Sequence, residues 1–163
     1  MALLLAGDLA EAEAELRWGY QTLRDMGERA GLSTVAAYLA RVLTVQRRFD
    51  EAQELTLESE QTAAVGDLAS QIAWRGTRVL CRLAVGDPAS AEEISRAAVA
   101  LAEGTDDLEL KGFAHAGLAA VLRAVDDSRA AAAEREAAAA AYLAKGDIVS
   151  ANWLDAGGWA GPR

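Results

Sequence analysis

Apolar positions along this chain recur at helical spacing. Within 67–85 the stripe is Ile72, Gly76, Val79, Leu80 and Leu83; within 106–125 it is Leu110, Phe113, Leu118, Val121 and Leu122. That spacing gives an α-helix one apolar face. Polar punctuation separates the stripes. Gly-Asp recurs at Gly7-Asp8, Gly66-Asp67, Gly86-Asp87 and Gly146-Asp147. Glycine takes the left-handed backbone that closes one helix, and aspartate accepts hydrogen bonds from the orphan N–H groups of the next. Pro88 follows Asp87 at a position where its missing N–H costs nothing. "GTDD" at 104–107 does the same with one extra residue, and "MGERAG" at 26–31 is a looser turn. The punctuation predicts helices over 2–6 (a remnant), 8–26, 32–46, 49–65, 67–85, 88–103, 106–125, 127–145 and 147–156.

The helix starts are themselves periodic. "GDLAEA" at 7–12, "RRFDEA" at 47–52, "GDPASA" at 86–91 and "DDSRAA" at 126–131 align on Ala12, Ala52, Ala91 and Ala131, with spacings of 40, 39 and 40. A near-constant period of this length marks a solenoid, with two helices in each unit. The fold expected is all-α: an α-α superhelix of antiparallel helical hairpins with a period of about 40 residues. It forms a single repeat domain over 1–156 with an incomplete first repeat, followed by a Gly-rich tail over 157–163.

Composition supports helix and narrows the partners. Ala, Leu, Glu and Arg dominate, aromatics are only 6%, and there are two prolines. A net charge of −9 repels phosphate, so neither nucleic acid nor an anionic membrane is an expected partner. No run approaches the roughly 18 apolar residues of a membrane span, and "MALLLAG" is too short for a secretory leader. The lone Cys81 cannot form an intrachain disulfide, which fits a reducing cytoplasm.

The pattern resembles the tetratricopeptide repeat (TPR). That motif pairs a small residue in the first helix with an alanine in the second, as Ala40 stands twelve before Ala52 and Ala119 twelve before Ala131. Val79 departs from it, and the period exceeds the usual 34 residues. "RRFDEAQELTLESEQTA", "DLASQIAWRGTRVL" and "AAYLAKGDIVSA" also resemble the C-terminal repeat module of large actinobacterial signalling proteins. In those, a class III adenylate or guanylate cyclase domain and an ATPase domain precede the repeats; related arrays follow the ATPase domain of large transcription regulators. The resemblance implies a sensing or scaffolding module without catalytic parts. No phosphate-binding GxxxxGK[ST] is present, so no enzyme activity and no cofactor are expected of this chain.

The resemblance also implies a binding groove lined by the first helix of each pair. That gives Thr34, Tyr38, Arg41 and Thr44; then Gly76, Thr77 and Leu80; then Phe113, Ala116, Gly117 and Arg123. A protein or peptide partner is expected there. The array also opens mid-repeat, so homo-oligomerisation through uncapped ends is a further expectation. A small-ligand regulator or an enzyme using the groove is the alternative, and a self-assembling structural unit a third.

Other candidates carry less. His115, the only histidine, has no second ligand one helical turn away and reads as structural. Cys81 has arginine neighbours that lower a thiol pKa, but a lone helical cysteine is ordinarily a packing residue. Glu11, Glu13 and Glu15 alternate and read as a solvated surface, while Glu92 and Arg96 form a supporting pair. Arg75, Arg78 and Arg82 fall on one side of their helix. They are either paired internally or a basic docking patch, and the repeat register places Arg75 and Arg78 inward, where arginine must be paired.

Overall fold

The computed structural model describes residues 9–155. The predicted remnant helix 2–6, the Gly7-Asp8 turn and the tail 157–163 lie outside the described residues. Within them the chain is all-helical, with no strand. Eight helices follow: α1 (Leu9–Asp25), α2 (Arg29–Val45), α3 (Phe49–Thr62), α4 (Leu68–Ala84), α5 (Pro88–Glu103), α6 (Leu108–Ala124), α7 (Ser128–Lys145) and α8 (Ile148–Asp155).

Helix ends explain the regularity. Asp67, Asp87, Asp127 and Asp147 each accept a hydrogen bond from the backbone N–H three residues on, and Asp107 accepts two. Closing turns repeat just as strictly. Gly27, Arg47, Gly86, Asp126 and Gly146 all take the left-handed backbone. In each, the N–H bonds a carbonyl three residues back, and the next N–H bonds one five back, as in Gly86 to Leu83 and Asp87 to Arg82. This satisfies the orphan carbonyls of the helix that ends there.

Two boundaries and one turn differ from expectation. α2 starts three residues early because Glu28 caps it, accepting from Ala30 and Gly31. The cap needs Gly31: a Cβ there would meet Glu28 Oε2 at 2.6 Å. α3 ends at Thr62 because Ala63 turns extended. Gly66 therefore does not close the helix, and it is absent from the left-handed residues, which include Arg47 and Asp126 instead.

Each helix packs on the next, and α2 also packs on α4, and α4 on α6. Alternate helices thus form one layer. Alanine makes the close approach feasible: Ala36, Ala37, Ala40, Ala52, Ala91 and Ala138 are fully buried. At two places glycine does so against a ring. A Cβ on Gly76 would lie 2.2 Å from the Phe113 ring, and one on Gly112 would lie 2.7 Å from the Tyr142 ring.

Candidate functional site

The layer of α2, α4 and α6 carries the residues expected to line a groove. Where they meet is a crevice of only about 10 Å³, edged by Tyr38, Arg41, Thr77, Glu109 and Phe113. That is room for no more than about one water. Phe113 is buried on Gly76, and the Arg41 guanidinium lies 4.1 Å from its ring centroid. Burial holds Arg41 below the usual guanidinium value, although Tyr142, Glu109 and Tyr38 act the other way. Burial also raises the Tyr38 phenol, assisted by Glu109, and pushes Tyr142 up to about 12. Lys145 of α7 donates to Glu109 and is held above the usual lysine value by that bond.

The expected groove residues therefore divide. Thr44, Thr77 and Phe113 are buried, and the two hydroxyls are spent on the carbonyls of Arg41 and Ala73. These three set the shape of the layer and are not surface contacts. Tyr38, Arg41 and Leu80 are partly exposed and Arg123 is exposed.

Of the arginine row, Arg78 is the one buried and paired within the fold. Arg78 is 7% exposed. It donates to Thr56 Oγ1 at 3.1 Å, to the Thr56 carbonyl at 2.8 Å and to Glu60 at 2.7 Å, all on α3. Arg78 and Arg75 both stack on the buried Trp74, at 4.2 and 4.1 Å. Arg75 donates to Gln71, and burial holds it below the usual guanidinium value. The Arg82 Nε is buried with no hydrogen-bond partner among the described residues. Internal pairing thus explains Arg78, at the inward position the repeat register assigns it.

Other sequence candidates resolve similarly. Cys81 is buried, and burial pushes its thiol up to about 11, which makes it a poor nucleophile. His115 Nδ1 lies 2.6 Å from Glu134 and Nε2 lies 3.1 Å from Glu103, so it bridges α5, α6 and α7. Arg96 pairs with Glu92 at 2.7 Å. Glu13 is not a plain solvated carboxylate. It accepts from Gln46, Arg17 and Arg48, and those bonds, Gln46 first, bring it down to about 2. Arg48 also grips Glu51 with two donors.

One larger cavity went unseen in the sequence. It measures about 250 Å³ and lies between α6, α7 and Leu154 of α8. Alanines form its floor, with Arg123, Ser128 and Arg135 beside them.

Its place follows from the helix starts. α1, α3, α5 and α7 begin at residues 9, 49, 88 and 128. Counting from these, Leu16, Thr56, Ser95 and Arg135 are equivalent. Counting α2, α4 and α6 from 29, 68 and 108 makes Leu39, Arg78 and Leu118 equivalent. Arg78 sits on Thr56, and Leu16 packs on the cluster that holds Leu39. Leu118 stands at Arg78's position and Ser95 at that of Thr56, and the buried Ser95 hydroxyl has no hydrogen-bond partner among the described residues. In α7 that position is Arg135, which lines the cavity. The alignment on Ala12, Ala52, Ala91 and Ala131 held this signal.

Among the described residues no three His, Cys, Asp or Glu side chains could hold a metal ion, and no helix is long and apolar enough to cross a membrane. No known family, curated protein or solved structure matches the chain.

Proposed function

We propose that the chain is a protein-interaction scaffold: a TPR-like superhelix of hairpins repeating about every 40 residues, whose α2–α4–α6 layer is the concave face that takes a peptide or helix from a partner. The observation that carries this reading is the packing of alternate helices on one another while each also packs on its neighbour. Stacked hairpins with that contact pattern present one continuous face instead of an enclosed pocket. The partly exposed Tyr38, Arg41 and Leu80, with Arg123 further along, are the side chains left to touch a ligand. The resemblance to repeat modules of cyclase–ATPase signalling proteins supports reading this scaffold as the regulatory end of a bacterial signalling protein in the cytoplasm.

The test is affinity capture from the source cells with the wild-type chain and a Tyr38→Ala/Arg41→Glu variant of unchanged circular dichroism. The reading expects a partner retained by the first and lost by the second. Identical retention by both would remove this face from consideration.

A further inference from the structure

We propose that Arg41 is a recognition point for a carboxylate side chain: the segment taken by the α2–α4–α6 face is extended and carries an acidic residue followed, one helix further along the face, by an apolar one. This rests on the scaffold reading and supplies the chemistry of its ligand.

The first observation is an arginine without an answer. Two arginines of this layer lie against aromatic rings, Arg78 on Trp74 at 4.2 Å and Arg41 on Phe113 at 4.1 Å. Arg78 spends its donors on Thr56 and Glu60. Arg41 makes no hydrogen bond and no ion pair with any described residue, although burial already works against its charge. A guanidinium drawn out of water in this state is left with unmet donors. Tyr38 and Tyr142 lie close enough to act on it, and their hydroxyls also make no hydrogen bond among the described residues. Tyr142 is only 2% exposed. Three donor groups without acceptors thus gather around Arg41.

The second observation is that the nearby acids are engaged elsewhere. Glu109 accepts from Lys145, and Asp147 accepts from the Ser150 backbone and hydroxyl at 3.0 and 2.6 Å. The missing acceptor therefore has to come from outside. A carboxylate fits best, because it takes two parallel N–H bonds from one guanidinium. The crevice beneath measures about 10 Å³, too little for a side chain. The carboxylate meets Arg41 and Tyr38 at their partly exposed edges instead.

The third observation is register. Counted from the helix starts, Leu80 of α4 stands where Arg41 stands in α2, and it too is partly exposed. Packed helices stand about 8–10 Å apart. A polyproline-II segment brings residues i and i+3 to one side about 9 Å apart. An acid and an apolar residue at that spacing reach Arg41 and Leu80 together.

The test uses the full chain and two fluorescein-labelled, capped, proline-rich peptides that differ at one residue. One has Glu-Pro-Pro-Leu at its centre and the other Gln-Pro-Pro-Leu. Binding is read by anisotropy at low salt. The Glu peptide is expected to bind at least about tenfold more tightly than the Gln peptide. Arg41→Met removes the charge and keeps a sulfur contact to the Phe113 ring. It should bind the two peptides alike and raise the urea midpoint of the unliganded chain, since an unmatched guanidinium is gone. Equal binding of the two peptides by the wild-type chain overturns the proposal. So does discrimination that persists in Arg41→Met, a midpoint that does not rise, or an absence of Glu-peptide binding up to about millimolar. The peptide pair reads charge recognition alone, whereas the capture experiment reads whether the face holds a partner at all. A partner lost on capture together with equal peptide binding would sink this proposal and leave the scaffold reading standing.

Discussion

Gly76→Ala is the most informative single substitution. In an isolated helix it would stabilise by about 1 kcal/mol, because glycine is a poor helix former. Here the new Cβ would lie 2.2 Å from Phe113 Cε1 and 2.9 Å from Cδ1 and Cζ. No contact survives at 2.2 Å, so the ring must move. It is buried in the main core cluster and has the Arg41 guanidinium 4.1 Å from its centroid. Overpacking of this kind costs about 1–3 kcal/mol. At 2.2 Å the upper part of that range, about 2–3 kcal/mol, applies, so set against the propensity gain the net loss is about 1–2 kcal/mol, or roughly 2–8 °C in Tm at this chain length. Urea and thermal unfolding followed by circular dichroism measure it. A double-mutant cycle isolates the cause. In a Phe113→Ala background, itself about 3–5 kcal/mol less stable, the ring is gone and Gly76→Ala should become stabilising by about 1 kcal/mol. The reasoning fails if Gly76→Ala is neutral in the wild type, or costs the same with and without the ring.

Four further outcomes follow from the same geometry. Arg78→Ala should lower stability by about 3 kcal/mol in urea unfolding, since it opens a cavity and strips Thr56 and Glu60 of their partner; Arg78→Leu, the residue at the equivalent position 118, should cost clearly less. Ser95→Ala should raise stability by up to about 1 kcal/mol, because it deletes a buried hydroxyl without a partner, and a loss above that size would show the hydroxyl is satisfied. Gly86→Ala, at a φ of 75°, should cost about 1 kcal/mol in the same assay, whereas Asp126→Gly, at 62°, should not destabilise. Glu13 has a folded pKa of about 2 against 4.5, so its contribution is complete above 4.5 and is lost as the pH falls toward 2; Glu13→Gln should flatten the acid limb of the Tm–pH curve, and an unchanged limb would remove Glu13 from the network.

What the sequence disclosed was local. The Asp caps, the left-handed glycines 86 and 146 and the apolar stripes of α4 and α6 all act within one helix or one turn, so a single window of residues shows them. The failures lie across helices. Glu13 reads as solvated because its partners Gln46 and Arg48 are more than thirty residues away. The repeat register points Arg78 inward, but only the fold shows that Thr56 and Glu60 of α3 are what answers it. The repeat register says which helix carries a face, not how deep each side chain lies, so it does not show that Thr44, Thr77 and Phe113 are buried. The early start of α2 and the early end of α3, which leaves Gly66 closing no helix, are local differences. Glu28 is an uncommon cap, and its turn is read through glycines 27 and 31.

A chain built of similar hairpins faces the hazard that one helix pairs with the wrong copy of its partner during folding. Arg78 discourages this. Brought against α5, it would meet Ser95 and Val99 in place of Thr56 and Glu60, and a guanidinium would be sealed off with one hydroxyl for company. Leu118 brought against α3 would leave Thr56 and Glu60 without the guanidinium they share. The mismatched assemblies are thus penalised at the step where they would form, and a buried charge that adds little net stability records which neighbour belongs to which.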